Sequence, residues 1–388
     1  MTNPASYSIE SYGHMILSEP RMGAYARALQ SAVKPGCVVV DIGAGTGIFS
    51  LLAARYGAGH IHAIEPDASI EVAREMAHAN GVADKITFHR QLSTQVHLDR
   101  KADVIVSDLR GVIPVFQHHI ATIVDARSRL LAAGGALIPL RDTIYACPVE
   151  DESLYAGNDK PWQSNAYDLD LREGRKYVIQ NWTKAQFDNS ALRAAPQTLA
   201  TLDYATIAEP NIVSRMRWPI ARRCTLHGIG VWFDADLGFG EQFSNAPSQP
   251  LLIYQRAFFP LEKALAVEPG DELQVEMQAW LVDNEYVWRW KSSLVAADGT
   301  ARATYDQSTL LAAPLSLESL RRMDSKFAPE ASSSTEVLQH LLTVFDGKAT
   351  LEEMARALAA RFPARFARWH DALGYVQDTV GWLKSREN

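Results

Sequence analysis

Cysteine is scarce in this chain: Cys37, Cys147 and Cys224 lie far apart with no paired spacing, which argues against a disulfide framework and against a thiolate zinc site. They read as reduced, mostly buried side chains, and no metal is expected. Long apolar runs are also missing; nothing approaches the roughly 18 uninterrupted apolar residues of a membrane-crossing helix. The opening stretch MTNPASYSIESYGHM has no basic start followed by an apolar core, so it does not read as a signal peptide and a cytoplasmic location is expected. Basic excess is absent too. A net charge of −7 works against nonspecific binding to nucleic acid, and the arginines from Arg215 to Arg223 read as a solvated strand or turn. At 388 residues the chain exceeds what one core usually serves, so two or three domains are expected.

Residues 38 to 47 read VVVDIGAGTG, a β-branched run with Asp41 ahead of Gly43, Gly45 and Gly47, and IFSLLAARYGA follows. The pattern predicts a buried strand turning into a helix. Without a Cβ the backbone turns tightly and lets a ligand approach the helix N-terminus. A nicotinamide-binding turn would be spaced GxGxxG, whereas this one is GxGxG. The next strand, HIHAIEP, ends at Glu65 and Pro66. An acid about 20 residues beyond the glycines accepts both hydroxyls of a ribose and disfavours a 2′-phosphate, which suits an adenosine. The helix ASIEVAREMAHANG, the strand and turn KITFHRQLST and the strand DVIVSDL follow. Leu92 and Ser93 are then placed beside the adenine edge, and Ser107 and Asp108 at the end of the fourth strand. Alternating strands and helices predict a doubly wound parallel α/β sheet with its ligand at the carboxyl ends.

Together, VVVDIGAGTG, AIEP, DVIVSDLRG and LLAAGGALIP resemble the class I methyltransferases, and more narrowly the protein arginine methyltransferases. The resemblance implies S-adenosyl-L-methionine as cofactor. Upstream, MILSEPRMGAYARAL resembles the family's N-terminal helix, and its Arg21 would then pair with the methionine carboxylate of the cofactor. Downstream, HGIGVWFDADL, SNAPSQPLLIYQ and LEKALAVEPGDEL follow the order of the family's β-barrel domain. The alternation in LQVEMQAWLVDNEYVWRWKSSL independently predicts antiparallel strands. The expected division is a cofactor-binding domain over 1–142, a barrel-like substrate domain over 143–328 and a third domain over 335–388.

The acceptor side departs from the family. Two glutamates after the fourth strand hold the family's guanidinium; here Asp108 takes the first position and Gln117 the second. Where the family has Thr-His-Trp, this chain has Leu252, Ile253 and Tyr254 before Gln255. A pair of carboxylates is the usual answer to a planar cation, so these changes count against arginine as acceptor. Methyl transfer mainly needs alignment. Asp108 is expected to orient or deprotonate the acceptor, beside Gln117, with His118 or His119 as a base; a helix-surface role competes for both histidines. Arg110 would either pair with Asp108 or face a substrate carboxylate.

After the linker PEASSS at 329–334, STEVLQHLLTVFDGKATLEEMARALAARFP and WHDALGYVQDTVGWLK predict helices, with Thr350 and Glu353 spaced as a capping box. The pattern resembles PqqD-like peptide-recognition domains, all-helical or winged-helix. That implies a peptide or protein substrate; a helical unit that packs on the barrel or builds a dimer competes. Leu338, Leu341, Leu342, Leu351, Met354 and Leu358 are expected to form its core. The wider family tends to form homodimers. Two further readings stay open: a methyltransferase acting on a small metabolite, and a noncatalytic cofactor-binding protein.

Overall fold

The computed structural model describes residues 7–163, 166–314 and 316–384. The first six residues of the expected first domain and the last four of the third therefore lie outside the described residues. The chain divides into two compact units, one from residue 7 to 314 and the other from 315 onward.

The larger unit opens with helices α1 (Ile9–Leu17) and α2 (Glu19–Ala32). Five parallel strands follow: β1 (Val38–Ile42), β2 (His60–Ile64), β3 (Ile86–His89), β4 (Ala102–Ser107) and β5 (Leu131–Ile138). Between them run α3 (Ile48–Arg55), α4 (Ser69–Ala79) and α5 (His119–Arg129). The sheet order is β3-β2-β1-β4-β5, so the direction of winding reverses beside β1, where doubly wound sheets bind ligands. β1 is buried along its whole length, as a central parallel strand covered on both faces must be. In α2 the buried positions Arg21, Tyr25, Ala28, Leu29 and Ala32 recur at helical spacing, which turns one face, and Arg21 with it, into the molecule.

The antiparallel part begins at β6 (Arg141–Val149), continues through α6 (Glu152–Gln163) and α7 (Arg175–Val178), and contains β7 (Thr183–Ala185), β8 (Gln197–Asp203), β9 (Ile212–Pro219), β10 (Cys224–Gly238), β11 (Glu241–Ser244), β12 (Arg256–Val267), β13 (Glu272–Val282), β14 (Glu285–Val295) and β15 (Ala301–Ser308). One sheet runs β7-β12-β10-β6-β8 with β11 on β10, and a second runs β15-β14-β13-β9. The alternating segment forms the β13–β14 hairpin, register Val282 to Glu285, with Asp283 left-handed at its turn. Inward-facing Trp218, Trp288 and Trp290 fill the core with Phe259. The Trp290 indole N–H donates to the Pro260 carbonyl at 2.9 Å, so burial of its one polar atom leaves nothing unpaired. Residue 143, the expected start of this domain, falls inside β6. The unit closes on α8 (Thr309–Ala312).

The smaller unit contains α9 (Leu317–Met323), α10 (Ser333–Val344), α11 (Leu351–Arg361) and α12 (Trp369–Lys384). Thr350 accepts from the Glu353 N–H while Glu353 accepts from the Thr350 N–H, the reciprocal cap that fixes the start of α11. Its described residues are helical and carry no strand, so the winged-helix form gives way to the all-helical one. Its core is Val337, Leu341, Met354, Ala355, Leu358, Phe366, Ala372, Val376 and Val380. Of the leucines expected there, Leu341 and Leu358 are buried with Met354, Leu338 is half-buried, and Leu342 and Leu351 are exposed. Phe366 and α12 select a narrower face than the apolar spacing suggests. No helix among the described residues is long and apolar enough to cross a membrane.

Candidate active site

The turn from β1 into α3 places Gly43, Gly45 and Gly47 in left-handed backbone, with φ of +74°, +52° and +84°. Two close approaches explain why side chains are excluded there. A Cβ on Gly43 would overlap Leu109 from the β4 loop, and one on Gly45 would overlap the ring of Tyr12 from α1. Helix α1 thus lies over the glycine turn, with the Tyr12 hydroxyl 3.4 Å from that of Ser69.

Glu65, at the end of β2, is buried and accepts from the Gly45 N–H at 3.0 Å and the Asp67 N–H at 2.9 Å. Burial raises its carboxyl above the ordinary value, and those two N–H bonds oppose the rise. Pro66 follows it in the turn toward α4 and is exposed. Asp41 at the end of β1 is fully buried; its Oδ2 accepts from the Ser50 N–H and hydroxyl at 3.0 and 2.7 Å. Its other oxygen, and the hydroxyl of Ser107 at the end of β4, are buried with no partner among the described residues. Two orphaned polar atoms at the carboxyl ends of neighbouring strands fit a polar ligand, because buried polar groups ordinarily find partners. Ser93 is buried and Leu92 is exposed at the end of the β3 segment.

Burial pushes the Asp41 carboxyl up from 3.8 to about 7; the Ser50 bonds oppose this and the Glu65 charge adds to it. A carboxyl whose folded value is raised favours the folded state most at low pH. That contribution is lost as the pH rises from about 4 through 7. Asp41→Asn is therefore expected to gain stability relative to the parent protein between pH 4 and pH 8, by a few kcal/mol at most for a shift of about three units. Denaturant unfolding at the two pH values checks this; an unchanged difference between the two proteins would show that the Asp41 charge is already satisfied.

Asp108 leaves β4 into the loop that faces α2 and the barrel. Its Oδ2 accepts from Arg21 Nε at 2.6 Å and from the Tyr254 hydroxyl at 2.5 Å, and Arg21 Nη2 makes an ion-pair contact with it at 2.5 Å. Its Oδ1 receives Arg110 Nη1 at 3.1 Å. Burial works to raise this carboxyl, but the guanidiniums of Arg21 and Arg110 and these bonds hold it below the usual range. Arg21, expected to meet the cofactor's carboxylate, is thus paired with Asp108 and also donates to the Met15 carbonyl. Arg110 takes the first of its two expected roles and adds a second partner. Nε and Nη2 grip Asp142 on β6 at 2.7 and 2.8 Å, and Nη1 reaches the Tyr25 hydroxyl at 2.6 Å. Phe233 and Phe243 flank its guanidinium.

Gln117 is half-buried with a left-handed φ of +42° just before α5, and His118 is exposed at the N-cap of that helix. Neither makes a described contact with Asp108. The surface alternative fails for His119, which is buried with Nε2 2.8 Å from the Tyr204 hydroxyl. Since that hydroxyl donates to Asp142 at 2.5 Å, His119 Nε2 carries the proton and donates. Burial and then the Arg110 charge lower the imidazole to about 3. Its Nδ1 is buried with no partner among the described residues. His119 is therefore a neutral strut behind Asp142.

Tyr12, Tyr25, Asp142 and Tyr204 were not anticipated as site residues. Tyr25 had a signal: it lies one helical turn beyond Arg21 on the same face of α2. Tyr254 comes from the barrel loop that the family resemblance marked by its missing histidine. Asn245 fixes that loop by accepting from the Phe233 N–H at 2.7 Å and donating to the Gln255 carbonyl. A surface cavity of about 570 Å³ between Lys101, Arg127, most of β5 and Phe239 shares none of these residues.

The fold is thus a class I methyltransferase sheet joined to an antiparallel β-barrel-like part. Residues 25–138 match the family described as ribosomal protein L11 methyltransferase, and residues 141–290 match the arginine methyltransferase oligomerization subdomain. Among similar proteins are a probable protein arginine N-methyltransferase 6 of Arabidopsis thaliana, 27% identical over 62% of this chain and 57% of its own length, and a probable histone-arginine methyltransferase CARM1 of Oryza sativa subsp. indica, 29% identical over 67% and 52%. The chain therefore spans little more than half the length of these relatives. Arabidopsis thaliana protein arginine methyltransferase 10 superposes with a TM-score of 0.69 at 20% identity, covering 78% of this chain and 97% of that one. The Trypanosoma brucei PRMT1 enzyme–prozyme heterotetrameric complex with AdoHcy gives 0.71 at 20%, covering 78% and 98%. These likenesses establish the fold.

Proposed function

We propose that this chain is an S-adenosyl-L-methionine-dependent methyltransferase that transfers a methyl group to a nucleophile, a nitrogen in the first instance, of a peptide or protein. The observation that carries the reading is the glycine turn with Glu65 beside it and the unpartnered Asp41 and Ser107 atoms at neighbouring strand ends. In this reading Glu65 takes the ribose hydroxyls, Ser93 and Leu92 border the adenine, and Asp41, Gly43, Gly45, Gly47, Pro66 and Ser107 shape the rest of the cleft. Arg21 exchanges Asp108 for the cofactor's carboxylate. Asp108 positions the acceptor, with Gln117 and His118 at the outer edge of the loop. When bound, the cofactor supplies an electrophilic methyl on its sulfonium, so the protein's work is alignment. The names of the arginine methyltransferase relatives support a protein substrate.

The division into 1–142, 143–328 and 335–388, a cytoplasmic site of action and assembly as a homodimer belong to the same proposal. The match of residues 141–290 to an oligomerization subdomain supports the assembly. The helical unit with its Thr350 cap supports a PqqD-like role in holding a peptide, which tethering through one chain would present at raised effective concentration. Protein ending at residue 330 is expected to keep its affinity for the cofactor while its KM for the peptide rises at least tenfold. Transfer of labelled methyl from S-adenosyl-L-methionine, read as a mass gain on the substrate, tests the function. Absence of transfer alongside intact cofactor binding would favour a noncatalytic role.

A further inference from the structure

We infer that the groove at the amino-terminal end of the parallel sheet is a second binding site, separate from the glycine-turn cleft, and that its ligand is an acidic peptide segment carrying a large apolar side chain. The cavity of about 570 Å³ beside Lys101 and Arg127 is continued by one of about 460 Å³ beside Lys34, Arg100 and Asp103, and Gly134, Ala136 and Phe239 line both. The two flank β5, which pairs with β4 alone and forms the edge of its sheet; residues 132–136 of that strand are exposed or half-buried. Cys37, Lys101 and Leu131 stand at the starts of β1, β4 and β5, whereas Glu65 and Ser107 stand at strand ends. The length of a strand, roughly 16 Å for one of five residues, therefore separates groove from cleft, and binding in the groove needs no methyl transfer.

Charge selects the ligand. The groove is lined by four cations, Lys34, Arg100, Lys101 and Arg127, against one carboxylate, Asp103, in a chain whose net charge is −7. Arg100 takes Asp103 at 2.9 Å. The other three cations meet no carboxylate among the described residues. Lys34 donates to the Ser31 carbonyl in the last turn of α2, and Lys101 to the Ser128 carbonyl in the last turn of α5. Arg127 donates to the carbonyls of Tyr204 and Ile207 at 2.7 and 2.9 Å. Each helix end offsets about half an elementary charge, so about two positive charges stay open. The carbonyls hold these cations in place without neutralising them. A lysine has three donors and an arginine five, which leaves N–H groups for the charge-assisted bonds that a ligand's carboxylates accept.

Phe239 supplies the apolar contact. It sits in the two-residue turn between β10 and β11 with a φ of +58°, beside Gly240 at +79°, where Asn, Asp or Gly is preferred because a Cβ is disfavoured. Its ring is 50% exposed and takes no part in the buried core. A phenyl group in so unfavourable a backbone conformation, lining both cavities, is accounted for by a ligand that packs on it. Lys34 and Lys101 lie in different cavities with Phe239 common to both, a spread that suits an extended peptide, whose successive side chains point to opposite sides, better than a compact anion.

The test is fluorescence anisotropy of the full chain with a fluorescein-labelled peptide, Glu-Asp-Phe-Glu-Asp-Leu-Glu, and its counterpart with Gln and Asn in place of the acids. The acidic peptide is expected to bind at least tenfold more tightly than the amide peptide, although the net charge of the chain opposes it. Lys101→Glu, at an exposed side chain, is expected to weaken it at least tenfold, and Phe239→Gly, which suits the turn, about threefold or more. Lys348→Glu makes the same charge change on the helical unit and is expected to leave the affinity within about twofold. S-adenosylhomocysteine is expected not to displace the peptide. Absence of binding at millimolar peptide, equal binding of the amide peptide, an unchanged affinity in Lys101→Glu or in Phe239→Gly, an equal loss in Lys348→Glu, or displacement by S-adenosylhomocysteine would each overturn the assignment. None of these outcomes bears on whether the glycine-turn cleft binds S-adenosyl-L-methionine, except displacement, which would place the peptide there.

Discussion

Glu65→Ala is expected to lower affinity for S-adenosyl-L-methionine by about 100-fold or more. A carboxylate accepting two ribose hydroxyls makes two charge-assisted hydrogen bonds, each worth about 1.5–3 kcal/mol. The same side chain braces the Gly45 and Asp67 N–H groups, so its loss also loosens the turn that lines the cleft. Glu65→Gln separates the two effects, since the amide oxygen still accepts one bond in the same space. An intermediate affinity, about tenfold below the parent, is its expected result. Calorimetric titration reads both, and circular dichroism shows whether the fold survives. Unchanged affinity in Glu65→Ala would mean that the ribose lies elsewhere and that the assigned cleft is wrong.

The second large effect is on stability. Arg110→Met leaves Asp142 fully buried and facing an apolar side chain, with only the Tyr204 hydroxyl still donating to it. Breaking a buried pair from one side costs about 3–5 kcal/mol, which for a unit of this size lowers the midpoint of thermal unfolding by roughly 10 °C. Asp142→Asn on top of it is expected to recover much of the loss, since an amide does not need a counter-charge while its oxygen still accepts from Tyr204. The cycle of single and double variants isolates the pair. A single-variant cost below about 1 kcal/mol would mean that water reaches Asp142 and that the pair is not the buried support described here.

Local features of the sequence showed much of this. The β-branched run from Val38, the glycines after it and the acid at Glu65 fixed the β1–α3 turn and the end of β2, because each follows from a short stretch of chain with a steric or hydrogen-bonding demand of its own. The alternation from Leu273 to Leu294 did the same for the β13–β14 hairpin, and the Thr350–Glu353 spacing for the start of α11. What stayed hidden is long-range. Asp108 meets Arg21 and Tyr254 across 87 and 146 positions of sequence, and Asp142 meets Tyr204 across 62. No periodicity encodes such pairings, since they depend on how the barrel sits on the sheet within the larger unit. His119 shows the same limit. Beside an amphipathic helix it reads as surface or as a base, and only the packing of Tyr204 against it makes it a buried neutral strut. In the helical unit the apolar residues outnumber the buried face, so Leu342 and Leu351 were indistinguishable from Val337 until Phe366 and Val376 chose a side.

The most direct measurement is calorimetric titration of the full chain with S-adenosyl-L-methionine and, separately, with NAD. The GxGxG turn, Glu65 and the orphaned Asp41 and Ser107 atoms predict binding of the first with one site per chain and none of the second. Binding of NAD, or of neither, would contradict the account.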